Sequence, residues 1–359
     1  MNQIPNIDII FKQQAYTFVQ RSARGNVILI LRDETDITFK IKEYKLITDV
    51  EADSAKYTPT NLQYIKDAMV GMPNLVTVVR IDILGMVAEA LTLVATLKTG
   101  WASIVGEKVD YEAIPTWTKQ IRTQKKTYKT IATDTTIAPN HEGVVDLFKT
   151  KVTFKDARGE QDSEEIIPTI LGLLAGANVK HGTTYMVVPN LASVVEPLDV
   201  NAEITKGKFV LINDEGVVKI ALGINSLTTF DKEKTEDFSS IEIIEVMDMI
   251  LDDTTKTFKN DFISKYKNNL DNQMIFISAE NSYFKALAEE EVLDKNYDNI
   301  SFINVAKQRE MWITTGKIEA KDWGDAKVKN MSYKKSMFVG GDIKILQSIT
   351  NLNFNINMA

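Results

Sequence analysis

The chain has 359 residues, of which 44% are apolar and 25% charged, with a formal net charge of −7. These values are typical of a globular protein, and the length favours two domains over one. Because the sequence has no cysteine, it excludes disulfides, thiolate metal sites and cysteine nucleophiles. The start shows no basic leader before an apolar core, and no apolar run reaches the ~18–20 residues of a bilayer span. We therefore expect neither a signal peptide nor membrane insertion.

The strongest candidate for a nucleic-acid surface is the basic stretch 119–129, which includes Arg122, Lys125 and Lys126. Proteins that bind nucleic acid usually combine a basic face with aromatic residues on which bases stack. No aromatic residue is interleaved among these three charges. We therefore interpret the stretch as a solvated helix face and predict no nucleic-acid partner.

The first 48 residues contain three predicted strands. Residues 7–12 alternate, with Ile7, Ile9 and Phe11 on one face, and Pro5 upstream is typical of an edge strand or a free arm. Residues 26–33 form a continuous apolar run that predicts a strand buried on both faces. Alternation through residues 35–48 predicts a half-exposed strand.

From residue 60 onward, helix and strand patterns alternate. We predict helices over 61–69, 88–97, 112–126 and 164–176, with Pro115 in the first turn of the third. Strands are predicted over 75–83, 101–105, 127–132, 152–154 and 184–188. Strands separated by helices of this length indicate an α/β layered structure.

The last third begins with a predicted β-hairpin, whose strands 209–212 and 217–222 are joined by a turn at 213–216. Residues 238–270 predict a strand and then a long amphipathic helix, on which Phe258, Phe262 and Tyr266 recur every four residues. A helix over 283–291 and a strand over 338–349 follow.

The final residues have a regular pattern of their own. Leu352, Phe354, Ile356 and Met358 alternate with four asparagines, which is the signature of a strand with one buried face. Such a strand pairs either inside its own domain or with a neighbouring chain by strand addition. The pattern alone leaves both possibilities open.

The standard enzyme motifs are missing. The sequence contains no Walker loop, no GxGxxG after a predicted strand, no GxSxG elbow and no EF-hand loop. Its two histidines, His141 and His181, lie in polar, turn-like contexts, and we interpret both as surface or loop residues. A serine hydrolase that uses Ser226 with His181 stays open as an alternative, since triads are defined by geometry. We predict no catalytic residue, no metal and no cofactor.

Whole segments of the sequence carry a family resemblance. They are residues 5–33 (PNIDIIFKQQAYTFVQRSARGNVILILRD), 217–230 (VVKIALGINSLTTF), 241–269 (IEIIEVMDMILDDTTKTFKNDFISKYKNN), 274–294 (MIFISAENSYFKALAEEEVLD) and 352–358 (LNFNINM). The chain resembles the tail sheath proteins of contractile phages, of the defective-prophage and R-type bacteriocin kind.

The resemblance implies a mixed α/β (α+β) fold. It would comprise a linking arm over 1–20, an outer α/β domain of subtilisin-like type without catalysis over 21–237, and an α+β, tube-facing C-terminal domain over 238–342. Residues 343–359 would form a C-terminal strand and a second arm. The exchanged strands would carry Ile7, Ile9 and Phe11 at one end, and Leu352, Phe354, Ile356 and Met358 at the other.

The function that the resemblance implies is structural, with hexameric rings of subunits that surround a tail tube and contract. The implied partners are further copies of the chain, the tube protein, and baseplate and tail terminator proteins. Assembly would occur in the bacterial cytoplasm, with release by lysis as part of a phage tail or a related particle. We expect charged contacts to the tube and predict Lys256 and Lys259 for that role. Another self-assembling structural protein, such as a surface-layer or other tail component, is the alternative.

Overall fold

The computed structural model describes residues 19, 24–177, 179 and 181–356. The predicted strand over 7–12 and Met358 lie outside these residues. The chain divides into two compact units, which we call the α/β unit (residues 22–252 and 347–359) and the C-terminal unit (residues 1–21 and 253–346). This division falls at Asp252, whereas the boundary implied by the resemblance lies at residue 238, and residues 347–359 are grouped with the α/β unit.

The α/β unit contains twelve strands among its described residues. They are β1 (Asn26–Arg32), β2 (Ile41–Tyr44), β3 (Leu75–Ile81), β4 (Trp101–Ile104), β5 (Lys129–Thr133), β6 (Val144–Leu147), β7 (Lys151–Phe154), β8 (Glu160–Asp162), β9 (Leu191–Val194), β10 (Lys208–Phe209), β11 (Leu211–Asp214) and β12 (Val217–Ile220).

The helices of the α/β unit are α1 (Ile47–Ala52), α2 (Pro59–Met69), α3 (Val87–Val94), α4 (Lys108–Thr123), α5 (Ile167–Gly176), α6 (Val200–Thr205) and α7 (Ile241–Thr257), the last of which continues into the C-terminal unit. Short 3₁₀ turns cover Ser54–Lys56, Ser163–Ile166 and Glu236–Ser239.

Seven strands form the central sheet, in the order β10-β6-β5-β4-β1-β3-β2. All neighbours are parallel except β2, which runs antiparallel to β3. Residues 27–31 of β1 are buried at every position, as expected of a strand covered on both faces. Helices α2 and α5 pack on each other, as do α3 and α4, and β1 contacts α2, α3 and α5. The predicted α/β class is confirmed.

Two smaller sheets complete the α/β unit. Strands β8, β7 and β9 form a three-stranded antiparallel sheet, and β11 pairs with β12 as the predicted hairpin. Its turn places Glu215 at φ 50° and Gly216 at φ 79°. Two consecutive positive φ angles are typical of the type I′ turn that matches the twist of a hairpin.

The C-terminal unit consists of helices α8 (Leu270–Glu289), α9 (Val305–Thr314) and α10 (Asp325–Asn330), with strands β13 (Ile300–Ile303) and β14 (Val339–Asp342). A π-helical turn covers Phe258–Phe262 and a 3₁₀ turn Ile318–Asp322. Phe258, Phe262 and Tyr266, predicted to share one helix face, do contact one another: Phe262 lies 6.3 Å from Phe258 and 5.1 Å from Tyr266, between ring centroids. No helix of the described residues is long and apolar enough to cross a bilayer.

Several predicted elements were wrong. The strand over 35–48 is reduced to β2, because the Asp33 and Asp36 side chains accept hydrogen bonds from the amides of Thr35 and Thr38 and turn the chain. Residues 184–188 form no strand beyond one bridge at Val187.

Other boundaries moved. Residues 238–240 form the end of a 3₁₀ turn and make only one bridge, at Ser240. The strand predicted over 338–349 is reduced to β14 and one bridge at Ile345. Helix α4 begins at Lys108, before the predicted 112, because Glu107 and Asp110 form a capping box. Pro115 therefore lies inside the helix.

Candidate functional site

The C-terminal segment is anchored at its base to the α/β unit. Ser348 donates from Oγ to Glu242 Oε1 over 2.8 Å and from its amide to Oε2 over 3.0 Å. The amide of Gly182 donates to the same hydroxyl over 2.8 Å, and Gln347 bonds to Asp237. Because Glu242 lies in the first turn of α7, these bonds tie the segment to a rigid helix start.

Beyond this anchor, residues 351–356 belong to no helix or strand and are exposed. Leu352, Phe354 and Ile356 expose 88%, 72% and 69% of their surface. Three large apolar side chains within five residues are costly to leave in water. The segment is therefore available for contact with another chain; whether it exchanges strands stays a prediction.

The C-terminal unit contains a sheet of only two strands among its described residues, β13 and β14. The outer side of β13 is engaged at Ser301, whose amide donates to Asn281 Oδ1 over 2.6 Å. Strand β14 pairs with β13 alone, and Gly341 and Asp342 are exposed. A two-stranded sheet is only marginally stable and leaves an edge at which a further strand can pair.

An ionic cluster joins α7 to the central sheet within the α/β unit. Glu245, Asp248 and Asp252 recur at spacings of three and four, so they share one helix face. Arg122 makes a bidentate pair with Asp248, both distances being 2.9 Å, and the Lys129 ammonium lies 2.9 Å from Glu245 and 3.3 Å from Asp248. Although burial opposes it, the charges of Lys129 and Arg24 lower the pKa of Glu245 to about 2.

This cluster corrects the interpretation of the basic stretch 119–129 as a solvated helix face. Lys129 is buried, and Arg122 is mostly shielded from solvent. The sequence did contain a signal for these ion pairs. Helix α7 carries acidic residues at helical spacing, and buried cations need such carboxylates as partners. Of the basic residues in this stretch, Lys119 and Lys125 are exposed, as the prediction had it.

Lys256 and Lys259, predicted to contact a tube, lie at the end of α7 and in the following π-helical turn. Both side chains are exposed. Because they are three residues apart along a helical segment, they project to neighbouring positions. This position permits contact with an acidic partner, and the role itself stays a prediction.

The residues of the hydrolase alternative are not brought together as a catalytic group. The Ser226 hydroxyl is buried and bonds to the backbone of His141, as acceptor from its amide and donor to its carbonyl, both over 3.2 Å. His181 instead lines a groove of about 750 Å³ with Tyr185, Ile204 and Ser348. A nucleophile needs a base within hydrogen-bond reach.

His141 lies in a loop, which agrees with its interpretation as a surface or loop residue. It is largely buried, and burial together with the positive charge of Arg122 lowers the pKa of its imidazole. Its Nδ1 accepts a hydrogen bond from the amide of Gly143. The described residues hold no cluster of His, Asp and Glu suited to a metal ion.

Comparison with known proteins shows which proteins this chain is similar to. Residues 233–359 match the family model described as phage tail sheath C-terminal domain. The chain is 27% identical over 370 residues to the tail sheath protein of Clostridium phage phiCD119, with 100% of each chain covered.

Solved structures share the fold. One is the sheath tail protein of Desulfitobacterium hafniense (TM-score 0.70, 15% identity, 83% of this chain and 94% of that chain). Another is the helical sheath of the anti-feeding prophage in its contracted state (TM-score 0.71, 12% identity, 99% of each chain). The predicted resemblance is confirmed: residues 233–359 match the phage tail sheath C-terminal domain, and the chain is similar to a tail sheath protein along its whole length.

Proposed function

We propose that this chain is the structural subunit of a contractile tail sheath, in which hexameric rings surround a tube and shorten to drive it through a cell envelope. The observation that carries the proposal is the C-terminal segment, which extends from its Ser348 anchor with Leu352, Phe354 and Ile356 exposed. Binding this segment to a neighbouring subunit would bury its apolar side chains and so stabilise the assembly. The relation to tail sheath proteins supports this use.

The acceptor for the segment is the open edge of β14 in a neighbouring subunit. There the segment would add a third strand to a sheet that has two among its described residues. The N-terminal residues Ile7, Ile9 and Phe11 would supply a second exchanged strand. Main-chain hydrogen bonds would give affinity, and alternate apolar side chains would fix the register.

The strength of one such joint is modest. Each buried apolar side chain contributes about 1.5–3 kcal/mol, and each ladder hydrogen bond a net ~0.5–1.5 kcal/mol. Ordering the backbone costs about 1–2 kcal/mol per residue, which offsets most of that gain. Inside a closed lattice the effective concentration of each segment at its acceptor edge is high. Many weak strand pairings together therefore hold the lattice stably.

Joints of this kind suit contraction, because they persist while the subunit bodies re-pack. We infer that the extended sheath is metastable and that its contraction is driven by the difference between two packed states, without enzymatic activity. The α/β unit would be the outer, subtilisin-like part of the subunit. The C-terminal unit would face the tube, with Lys256 and Lys259 as charged contacts.

The further partners would be baseplate and tail terminator proteins, with assembly in the bacterial cytoplasm and release by lysis. A chain in the structure of the anti-feeding prophage baseplate has a similar fold (TM-score 0.68, 13% identity), which supports the baseplate as a partner.

Replacing the apolar face of the segment tests the proposal. In a Leu352→Asp, Phe354→Asp, Ile356→Asp variant, we expect a folded monomer that no longer forms striated cylinders in electron microscopy. The matched control carries aspartate at Asn351, Asn353 and Asn355, which adds the same charge on the opposite face. Normal cylinders from the first variant, or an equal loss of cylinders in both variants, would refute the proposal that the C-terminal segment binds a neighbouring subunit.

The alternatives have their own readouts. A surface-layer or other tail component would assemble into sheets or other shapes, without hollow cylinders of two lengths. A serine hydrolase would be labelled by a fluorophosphonate, and we expect no labelling.

A further inference from the structure

Four segments lie together at the carboxyl edge of the central sheet, where parallel strands β1, β3, β4 and β5 end. They are residues 33–37, 82–86, 105–109 and 134–137, which we call the carboxyl-edge surface. Side chains tie each segment to the next. Glu34 accepts from the Ile83 amide, Arg32 bonds both Gly85 and Asp110, and Lys108 pairs with Asp134.

This surface exposes large apolar side chains in every segment. Leu84 exposes 95% of its surface and Ile37 and Ile137 each 79%, and the others are Ile83, Met86 and Val109. Scattered apolar residues are normal on a protein surface, whereas six in the segments that follow four adjacent strands favour an interaction site. None of these residues belongs to the C-terminal segment or its anchor.

The charges around this apolar group are mostly acidic. The four segments contain six carboxylates and one lysine, a net of −5: Asp33, Glu34, Asp36, Asp82, Glu107 and Asp134 against Lys108. A partner of opposite charge is therefore favoured, because like charges across an interface are costly.

The opposite edge of the same sheet carries the complementary charge. The segments that precede β3, β4 and β5, with the end of β2, are residues 45–46, 70–74, 95–100 and 124–128, which we call the amino-edge surface. They contain four lysines and no carboxylate, a net of +4: Lys45, Lys98, Lys125 and Lys126.

The amino-edge surface also offers apolar contact, since Leu46 and Met72 are exposed. Helix α7 covers part of this edge, where Asp252 accepts from Thr99 and Thr127. Lys98 and Lys125 nevertheless remain exposed.

We propose that the carboxyl-edge surface docks on the amino-edge surface of the α/β unit of a second copy of this chain. The occupant is a second copy because the charge and the apolar residues that this surface requires are both found on the other edge of the same sheet. A contact between two different surfaces of identical subunits is heterologous, and it propagates into a ring or an open helix. The inference rests on the proposed sheath function and adds to the exchanged strands a direct contact between α/β units.

Charge reversal tests the docking in the full-length chain. Glu34→Lys with Asp82→Lys should raise the concentration needed for polymerisation by about tenfold or more, and Lys98→Glu with Lys125→Glu should do the same. Combining all four changes should restore polymerisation toward the wild-type threshold. Additive losses in the combined variant, or no loss in either pair, would overturn the inference.

Crosslinking tests the contact independently of polymer formation, because the chain has no cysteine of its own. A Leu84→Cys variant mixed with a Met72→Cys variant should give a mixed dimer with a short bismaleimide, in the polymer and in concentrated solution of the Leu352→Asp, Phe354→Asp, Ile356→Asp background. Leu198→Cys, fully exposed on the loop before α6, is the matched control partner for Met72→Cys.

The outcomes separate the two proposals. Wild-type chains that form no cylinders contradict the sheath function, whereas cylinders whose assembly ignores the charge reversals contradict the docking alone. Crosslinking of Leu84→Cys no stronger than that of Leu198→Cys would also overturn the docking.

Discussion

Ser348 and Glu242 lie 106 residues apart in sequence and are joined by two hydrogen bonds, from the serine hydroxyl and from its amide to the two carboxylate oxygens. Together with the Gly182 amide, this pair fixes the point at which the C-terminal segment leaves the α/β unit. The segment therefore has a defined origin, although residues 351–356 beyond it are exposed.

Removing the Ser348 hydroxyl should loosen the attachment of the C-terminal segment to the α/β unit. In Ser348→Ala, the Gly182 amide loses its acceptor, so we expect its hydrogen exchange to accelerate by about fivefold, the equivalent of a net bond of ~1 kcal/mol. Mass spectrometry of exchanged peptides covering Gly182 measures this.

The controls for that variant use neighbouring hydroxyls. Ser348→Thr keeps the acceptor and should restore slow exchange, and Thr350→Ala removes an exposed hydroxyl two residues away and should change nothing. Unchanged exchange in Ser348→Ala would show that the serine does not hold the segment.

Glu280 should make the stability of the C-terminal unit depend on pH. Burial, with the nearby charge of Asp253, raises the pKa of its carboxyl from 4.5 to about 7, although the Thr254 hydroxyl donates to it. Because the pKa is raised in the folded state, Glu280 does not reduce the unfolding free energy below pH 4.5. The reduction grows as pH rises from 4.5 through 7 and is complete above pH 7. Fully ionised, the carboxylate costs about 3 kcal/mol of unfolding free energy.

Glu280→Gln should remove this dependence. We expect the variant to be more stable than the wild type at pH 8.5 and similar to it at pH 4.5, measured as melting temperature. Glu289→Gln on the exposed side of the same helix is the matched control. An identical pH profile for Glu280→Gln and the wild type would contradict the assignment.

Asp248 should be the most costly member of the ionic cluster to lose. It is buried and neutralises both Arg122 and Lys129, so Asp248→Asn leaves two shielded cations under-compensated. We expect a loss of about 3–5 kcal/mol in unfolding free energy, as for a broken buried pair.

Urea unfolding followed by tryptophan fluorescence measures that loss, since the Trp101 ring nitrogen donates to Glu245 in the same cluster. Asp49→Asn, at an exposed carboxylate in α1, should cost less than about 0.5 kcal/mol. Equal effects for the two variants would show that the cluster contributes little to stability.

The two predicted tube contacts can be tested by charge. Lys256→Glu with Lys259→Glu should leave the monomer folded and weaken co-assembly with a tube protein, with the wild-type interaction falling as salt rises. Co-sedimentation at low and high salt measures this. Lys285→Glu, an exposed lysine on α8, is the control, and an equal effect in both would argue against a specific role.

Much of the central sheet was predictable, because buried parallel strands are continuous apolar runs. Residues 26–32 and 75–81 stand out in this way, and β1 and β3 are found there. Short polar segments misled the same reasoning. The alternation through Ile37 and Phe39 looks like a strand, yet side-chain bonds from Asp33 and Asp36 turn the chain there.

The candidate site was only partly predictable, because its contacts connect distant parts of the chain. The alternation of Leu352, Phe354 and Ile356 with asparagines is visible in the sequence. The exposure of these side chains agrees with a segment that binds another chain. Nothing local pairs Ser348 with Glu242, or Arg122 with Asp248 across 126 residues. Such pairs become visible only once the fold brings them together.

The most direct test of the exchanged segment is a cryo-EM structure of the assembled particle at a resolution that traces residues 347–359. We predict that Leu352, Phe354 and Ile356 will be found in a strand paired with β14 of an adjacent subunit, while Ser348 stays bonded to its own Glu242. A segment that folds back onto its own subunit in every copy would contradict the account.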